Sequence, residues 1–328
     1  MKKLSKKGTY TESCPICIGQ SIGIVTLREK ADKDYNVCRC SQCGLFFVPS
    51  VQIFINEQAN TYGEEFYDRT LCADRNPIRG EMERRVFDTL LRSLEKHLPT
   101  HGRMLDVGCG DGIHLKLFHD RGWEVSGTEI SDYAARHVQS KYGFEVFLGE
   151  LKDAPFKPEQ FDFIQMRHVI EHLSNPMPTL NKVRELLKPT GILRIDTPTI
   201  GLADRWMPKI NMILSPLIYV KRYLNGIPMP DVNHSQWGNL HPPEHNLWFT
   251  VSAMKEALKR AGFEILSLST AFRGDPDYYP SKFILSGARM GWWNHLWTYV
   301  DALGANFGRG SILIVYARKP SLMKIKKT

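Results

Sequence analysis

Apolar side chains recur at helical spacing over 79–97, where Met82, Val86, Leu90, Leu91 and Leu94 fall on one face and predict a helix. Pro99, His101 and Gly102 close it. From Arg103 the pattern changes to short apolar runs alternating with amphipathic stretches. Arg103–Val107 reads as a buried strand, Ile113, Leu115, Leu117 and Phe118 open a helix, and 124–128 reads as a second strand. Similar runs continue to a last strand at 312–315. Strands alternating with helices predict an α/β fold around a mostly parallel sheet. Ahead of the helix, 22–27 and 35–37 read as short strands, whereas the stretch after Pro49, with Tyr62, Phe66 and Tyr67, has no strong period.

Five of the seven cysteines fall at the front of the chain. CPIC and CSQC form two C-x-x-C knuckles, and Cys14, Cys17, Cys40 and Cys43 supply the four thiolates of a closed tetrahedral zinc site. Gly44 suits the tight turn after the second knuckle. Cys38 is the spare cysteine and an alternative to Cys40. A module this small buries too little apolar surface to fold without help, so a structural Zn2+ is expected to hold it together. Four protein ligands leave no open position for catalysis.

The first strand of the α/β region runs into Gly108-Cys-Gly-Asp-Gly112, and the second ends in Glu129. A glycine turn between strand and helix lets backbone approach a ligand, and an acid after the second strand is placed to bind ribose hydroxyls. The glycines run G-x-G-x-G, with Ile113 where a dinucleotide fold prefers glycine. Asp106, just before the turn, would repel a pyrophosphate but suits a ligand carrying an ammonium and a sulfonium.

The runs LDVGCGDG, GTEIS, FDFIQMRHVIEHLSNP and ELLKPTGILRIDTP resemble the class I S-adenosylmethionine-dependent methyltransferases. The likeness points to the ubiquinone-type O-methyltransferases and bacterial enzymes that modify sugars and other small metabolites, some with a four-cysteine ribbon in front. It implies a Rossmann-like seven-stranded sheet with the last strand antiparallel, helices on both faces and S-adenosylmethionine as cofactor. It implies that Asp106, Gly108, Gly110 and Gly112 line the methionine and ribose portions, that Glu129 holds the ribose, and that Ile130 packs on the adenine face. Glu150 and Leu151 would meet the adenine edge, with Asp153 as an alternative to Glu150, and Arg167 and His168 would lie beside the methyl group.

Methyl transfer to oxygen or nitrogen needs alignment and removal of a proton, for which histidine is suited near neutral pH. His168 is one candidate base, Glu171 can orient a neighbouring histidine, and His172 shares a face with His168 if the stretch is helical. His245, in PPEH, is the second candidate, for acceptor contact or as base; the resemblance places Arg where Glu244 stands. No [DN]-P-P-[YFW] clamp follows the fourth strand and no Pro-Cys pair occurs, which argues against amide-nitrogen and pyrimidine chemistry. Cys109 reads as a small packing residue.

Composition then sets the partners. The 328 residues are 42% hydrophobic and 24% charged, an ordinary globular balance, and the net charge is +8. Nine basic residues lie near the two ends of the chain: Lys2, Lys3, Lys6, Lys7, Arg318, Lys319, Lys324, Lys326 and Lys327. The remainder is close to neutral, so nucleic acid is not the expected partner. No secretory signal follows the first lysines and no run is long enough to span a membrane, which predicts a cytoplasmic protein. The organisation expected is a ribbon with a basic tail over 1–50, a helical linker or cap over 51–100, a methyltransferase domain over 101–318 and a basic tail over 319–328. Insertions at 201–240 and 272–310 hold Trp206, Trp237, Trp292, Trp293 and Trp297, which suits a lid, a homodimer surface or contact with a membrane or lipid-linked acceptor. The leading function is methylation of a small-molecule acceptor, a hydroxyl of a sugar, nucleotide-sugar or glycan. The alternatives are an RNA methyltransferase gripping RNA through the ribbon, and a non-catalytic interaction subunit.

Overall fold

A computed structural model describes residues 13–19, 21–28, 34–48, 77–98, 100–199, 245–271, 303, 306–307 and 309–320. The unpatterned stretch after Pro49, the two aromatic insertions except residues 303, 306–307 and 309–310, and residues 242–244 lie outside them.

The predicted alternation becomes β4 (Arg103–Val107), α2 (Ile113–His119), β5 (Glu124–Glu129), α3 (Asp132–Tyr142), β6 (Val146–Leu148), β7 (Phe161–Arg167), α4 (Pro176–Leu186), β8 (Leu187–Pro198), α5 (Val251–Arg260), β10 (Glu264–Ala271) and β11 (Ile312–Arg318). Helix α1 (Pro77–Leu94) precedes them. The seven strands run in the order β10-β11-β8-β7-β4-β5-β6. Neighbours from β8 to β6 are parallel, and β11 is antiparallel to both β8 and β10. This is the Rossmann-like sheet with an antiparallel last strand.

Alternation along each strand feeds two cores. Met104, Phe163 and Ile192 face one side with Phe87, Leu90 and Leu94 of α1, Leu115 and Phe118 of α2 and Val138 of α3. Their chain neighbours Leu105, Ile164 and Leu193 face the other, against Leu180 and Val183 of α4 and Met254 and Leu258 of α5. A side-chain period of two across a sheet covered on both faces requires this split. Local signals fix the helix ends. Ser131 Oγ accepts from Ala134 N, Asn175 Oδ1 accepts from Met177 N, and Thr250 Oγ1 accepts from Ala253 N.

A second sheet runs β1-β2-β3-β9, with β1 at Ser21–Arg28, β2 at Asp34–Cys40, β3 at Phe46–Phe47 and β9 at Leu247–Trp248. The strands expected at 22–27 and 35–37 are both present and longer. The fourth strand comes from far along the chain, which local pattern could not disclose. Cys14, Cys17, Cys40 and Cys43 are buried, with their sulfurs within 4.8 Å of one another. The Cys14–Cys43 and Cys17–Cys40 sulfur pairs stand at 3.6 and 3.3 Å. Tetrahedral zinc, with Zn–S of about 2.3 Å, sets its sulfurs about 3.8 Å apart, so this cluster suits the ion. Cys38 pairs with Phe47 in the β2–β3 register and is not one of the four. The hydrogen bond between Cys14 and Cys43 lowers the first thiol and raises the second, and burial raises Cys17, so a bound cation would be needed to hold all four as thiolates. Metal analysis of the purified chain is expected to find one zinc, lost in Cys14→Ser. A folded ribbon free of metal would contradict the assignment.

Candidate functional site

A cavity of about 580 Å³ opens at the carboxyl ends of β4, β5 and β7, where parallel sheets bind ligands. Its wall includes Asp106, Gly108, Gly110, Glu129, Ile130, Glu150, Leu151, Arg167, His168 and His245. Residues read separately from the sequence therefore meet in one place. Gly112, the N-cap of α2, and Asp153 are not among the lining residues.

The glycine turn is shaped by close approach. Gly108 has φ +69°, and a Cβ there would come within 2.6 Å of Val169 Cγ2. Any side chain would close the turn against the β7 loop. Glu129, 5% exposed, accepts from Gly110 N through Oε2 at 2.9 Å and from Ile130 N and Ser131 N through Oε1 at 2.8 and 2.9 Å. The carboxylate thus ties the turn after β4 to the end of β5 while facing the cavity. Ile130 is 36% exposed, an apolar surface on the same wall. Glu150 lies beside it, with Lys152 Nζ 3.0 Å from Oε2.

Burial raises the Asp106 carboxyl to about 7 against the opposing pull of the Gln165 hydrogen bond and the Arg167 charge. Its neighbours form a chain of buried polar groups. Arg167 Nη1 donates to Glu83 Oε2 at 2.9 Å, and Arg167 Nε lies 3.7 Å from Asp196 Oδ2. His114 Nε2 is 3.2 Å from the same Glu83 oxygen, and its Nδ1 is 3.2 Å from Gln165 Nε2. Burial, with Arg167 adding to it, lowers His114 to about 4, so the ring is neutral at physiological pH. Glu83, His114 and Gln165 all line the cavity, and the sequence reading missed them. A signal existed for Glu83. It falls on the apolar stripe of α1, three and four positions before Val86 and Phe87, where a charged residue needs a reason.

At the other end of the wall, β7 runs into a short 3-10 turn, Ile170–His172. His168 precedes that turn with φ +52°, so it does not share a helical face with His172. Its Nδ1 lies 3.2 Å from Glu171 Oε1, and Thr197 Oγ1 donates to Glu171 Oε2 at 2.9 Å. Glu171 is fully buried, and burial alone would raise its carboxyl. The His168 hydrogen bond and the charges of His168, His172 and His245 outweigh that and hold it at about 2. The His172 and His245 rings meet edge to face at 4.9 Å. Donor atoms of Glu171, His172 and His245 lie within 4.8 Å of one another, a set chemically able to bind a divalent cation or to handle a proton. Cys109 is buried in the turn and burial raises its thiol, consistent with packing rather than nucleophilic work.

The Asp106 value carries a pH dependence. A cationic ligand beside it favours the ionised carboxylate and so releases a proton. Affinity for such a ligand is expected to fall about tenfold from pH 8 to pH 6, as Asp106 protonates through pH 7. Calorimetric titration at both pH values checks this, and Asp106→Asn should flatten the dependence.

Residues 78–268 match the family described as "Methyltransferase domain". An uncharacterized protein of Methanocaldococcus jannaschii is 31% identical over 44% of this chain and 60% of its own length. A ubiquinone biosynthesis O-methyltransferase of Azoarcus sp. is 33% identical over 29% of this chain and 43% of its own. The chain thus spans about half the length of the curated relatives it matches. The solved geranyl diphosphate C-methyltransferase of Streptomyces coelicolor aligns at a TM-score of 0.47 with 14% identity, over 71% of this chain and 76% of that one. A likeness at that level adds nothing to the assignment. The family match covers more than half of the sequence and coincides with the sheet and glycine turn that form the cavity. The chain therefore belongs to the methyltransferase-domain family, the class I S-adenosylmethionine-dependent methyltransferases.

Proposed function

We propose that this chain transfers the methyl group of S-adenosylmethionine to a hydroxyl of a small metabolite, with a sugar, nucleotide-sugar or glycan as the acceptor class. The observation that carries the proposal is the His168–Glu171 pair, a histidine held by a buried carboxylate on the wall shared with the glycine turn and Glu129. Relatives named as O-methyltransferases support oxygen as the receiving atom.

When bound, the cofactor supplies an electrophilic methyl group on a sulfonium. Glu129 would accept from the ribose hydroxyls, Ile130 would cover one adenine face, and Glu150 and Leu151 would border its edge. Asp106 faces the cationic end, with Arg167 held beside it by Glu83 and Asp196. His168 donates Nδ1–H to Glu171, which leaves Nε2 to take the acceptor's proton. Glu171 stays ionised across the working pH range and stabilises the imidazolium that results. His172 and His245 form the adjoining wall, where His245 would contact the acceptor.

Two variants test these roles. His168→Gln is expected to lower turnover by roughly 10²–10⁴ with unchanged affinity for S-adenosylhomocysteine, measured as labelled methyl transfer into a panel of sugars, nucleotide-sugars and phenols. Wild-type turnover in that variant would remove His168 as the base. Glu129→Ala is expected to weaken S-adenosylhomocysteine binding by about 1–3 kcal/mol in calorimetry. Unchanged affinity would show the residue misplaced.

A further inference from the structure

The four-cysteine module is bonded to the segment that carries His245. Strand β3 pairs antiparallel with β9, Phe46 opposite Trp248 and Phe47 opposite Leu247. Val48 N donates to Asn246 O at 3.0 Å. Asn246, 1% exposed, reaches the other way. Its backbone N–H donates to Glu171 O at 2.8 Å, and its side-chain Nδ2 donates to His172 O, also at 2.8 Å. One residue therefore bonds the ribbon edge on one side and the Glu171–His172 turn on the other.

The opposite end of the segment is fastened to the second knuckle. Ser252 Oγ donates to Cys43 O at 2.9 Å, and Thr250 Oγ1, the cap of α5, donates to Gly44 O at 3.4 Å. Beneath both contacts the apolar packing is continuous. Ile16, Leu45 and Phe47 share one cluster with Leu247, Phe249, Met254 and Leu258. A two-residue strand pairing is marginal alone and persists only against a fixed partner. A ribbon of this size has no fixed edge without its metal.

We propose that the metal-loaded ribbon is the clamp that sets the acceptor wall, with Asn246 as the positioning residue that passes its seating to His172 and His245. The cofactor cradle is built on β4 and β5, whereas the ribbon grips β9, so metal occupancy governs the acceptor half and spares the cofactor half. The place of His245 on the acceptor wall rests on the function proposed above. The seam itself does not, and none of the readouts below needs an acceptor or a methyl transfer.

The test uses the full-length protein, zinc-loaded and after zinc removal by a chelator. Removal is expected to speed amide exchange at Val48 and Asn246 at least tenfold and to move the His172 and His245 ring resonances. His114 resonances should stay in place, and S-adenosylhomocysteine affinity should remain within about threefold. Cys14→Ser should reproduce the stripped state, and Cys14→His, which keeps a Cys3His ligand set, should restore the loaded one. Asn246→Ala should move the same two rings with zinc content unchanged, which separates transmission from ribbon folding. Unchanged ring resonances and amide protection in metal-free protein would overturn the proposal. So would loss of S-adenosylhomocysteine affinity in step with the metal, and so would an Asn246→Ala protein with wild-type ring resonances.

Discussion

The site is organised around a carboxylate buried away from solvent. Glu171 is fully buried, and an ionised carboxylate in such a place is tolerated only when charge and hydrogen bonds replace its hydration. His168 and Thr197 supply those bonds, and each is held in turn. His168 N donates to Asp196 O at 2.9 Å, which fixes the loop after β7 to the end of β8. The left-handed backbone at His168 is the local cost of aiming its ring at Glu171 rather than continuing the strand. The backbone carbonyl of Glu171 also receives Asn246, so the charge that orients one histidine lies in the same turn as the anchor for the segment of the other.

A second buried network does comparable work at the cofactor end. Arg167 and Arg194 both approach Asp196, and Arg167 continues to Glu83 on α1. Helix α1 is outside the sheet and ahead of it in sequence, so this ion pair draws the preceding helix into the cavity wall. With Arg167 nearby and burial acting on its ring, His114 stays neutral and can bond both Glu83 and Gln165 without adding charge. Asp106 remains poised between forms because burial opposes Arg167. A ligand bringing positive charge would resolve that balance, which suits the sulfonium donor proposed above better than a pyrophosphate.

Features whose determinants are local were legible in the sequence. The β4 turn was readable because Gly108, Gly110 and Gly112 all take positive φ, a local demand that favours glycine, and Glu129 because it ends a strand immediately beside that turn. The cysteine spacing gave the metal site for the same reason, since each knuckle is four residues long. What escaped depended on distance. Glu83 and His114 meet across 31 positions, and Phe47 pairs with Leu247 across 200. Nothing near Leu247 announces a strand that completes the ribbon's sheet, because a two-residue strand has no period to read. His172 helps pin the loop, because its carbonyl receives the Asn246 side chain. Its ring also meets His245, a contact that local spacing does not encode.

The ribbon's attachment also bears on what it is for. A zinc ribbon that grips nucleic acid needs basic surface and an available face, and its binding should weaken steeply with salt. Here β9 extends the ribbon sheet beyond β3, Ser252 and Thr250 occupy carbonyls of the second knuckle, and the ribbon's apolar residues merge with the methyltransferase core. Away from its two ends the chain carries little net charge. A module already committed on its strand edge, its knuckle and its apolar side is better placed to shape the pocket beneath it than to capture a polyanion. That favours a small acceptor bound against the histidines over an RNA strand laid across the ribbon.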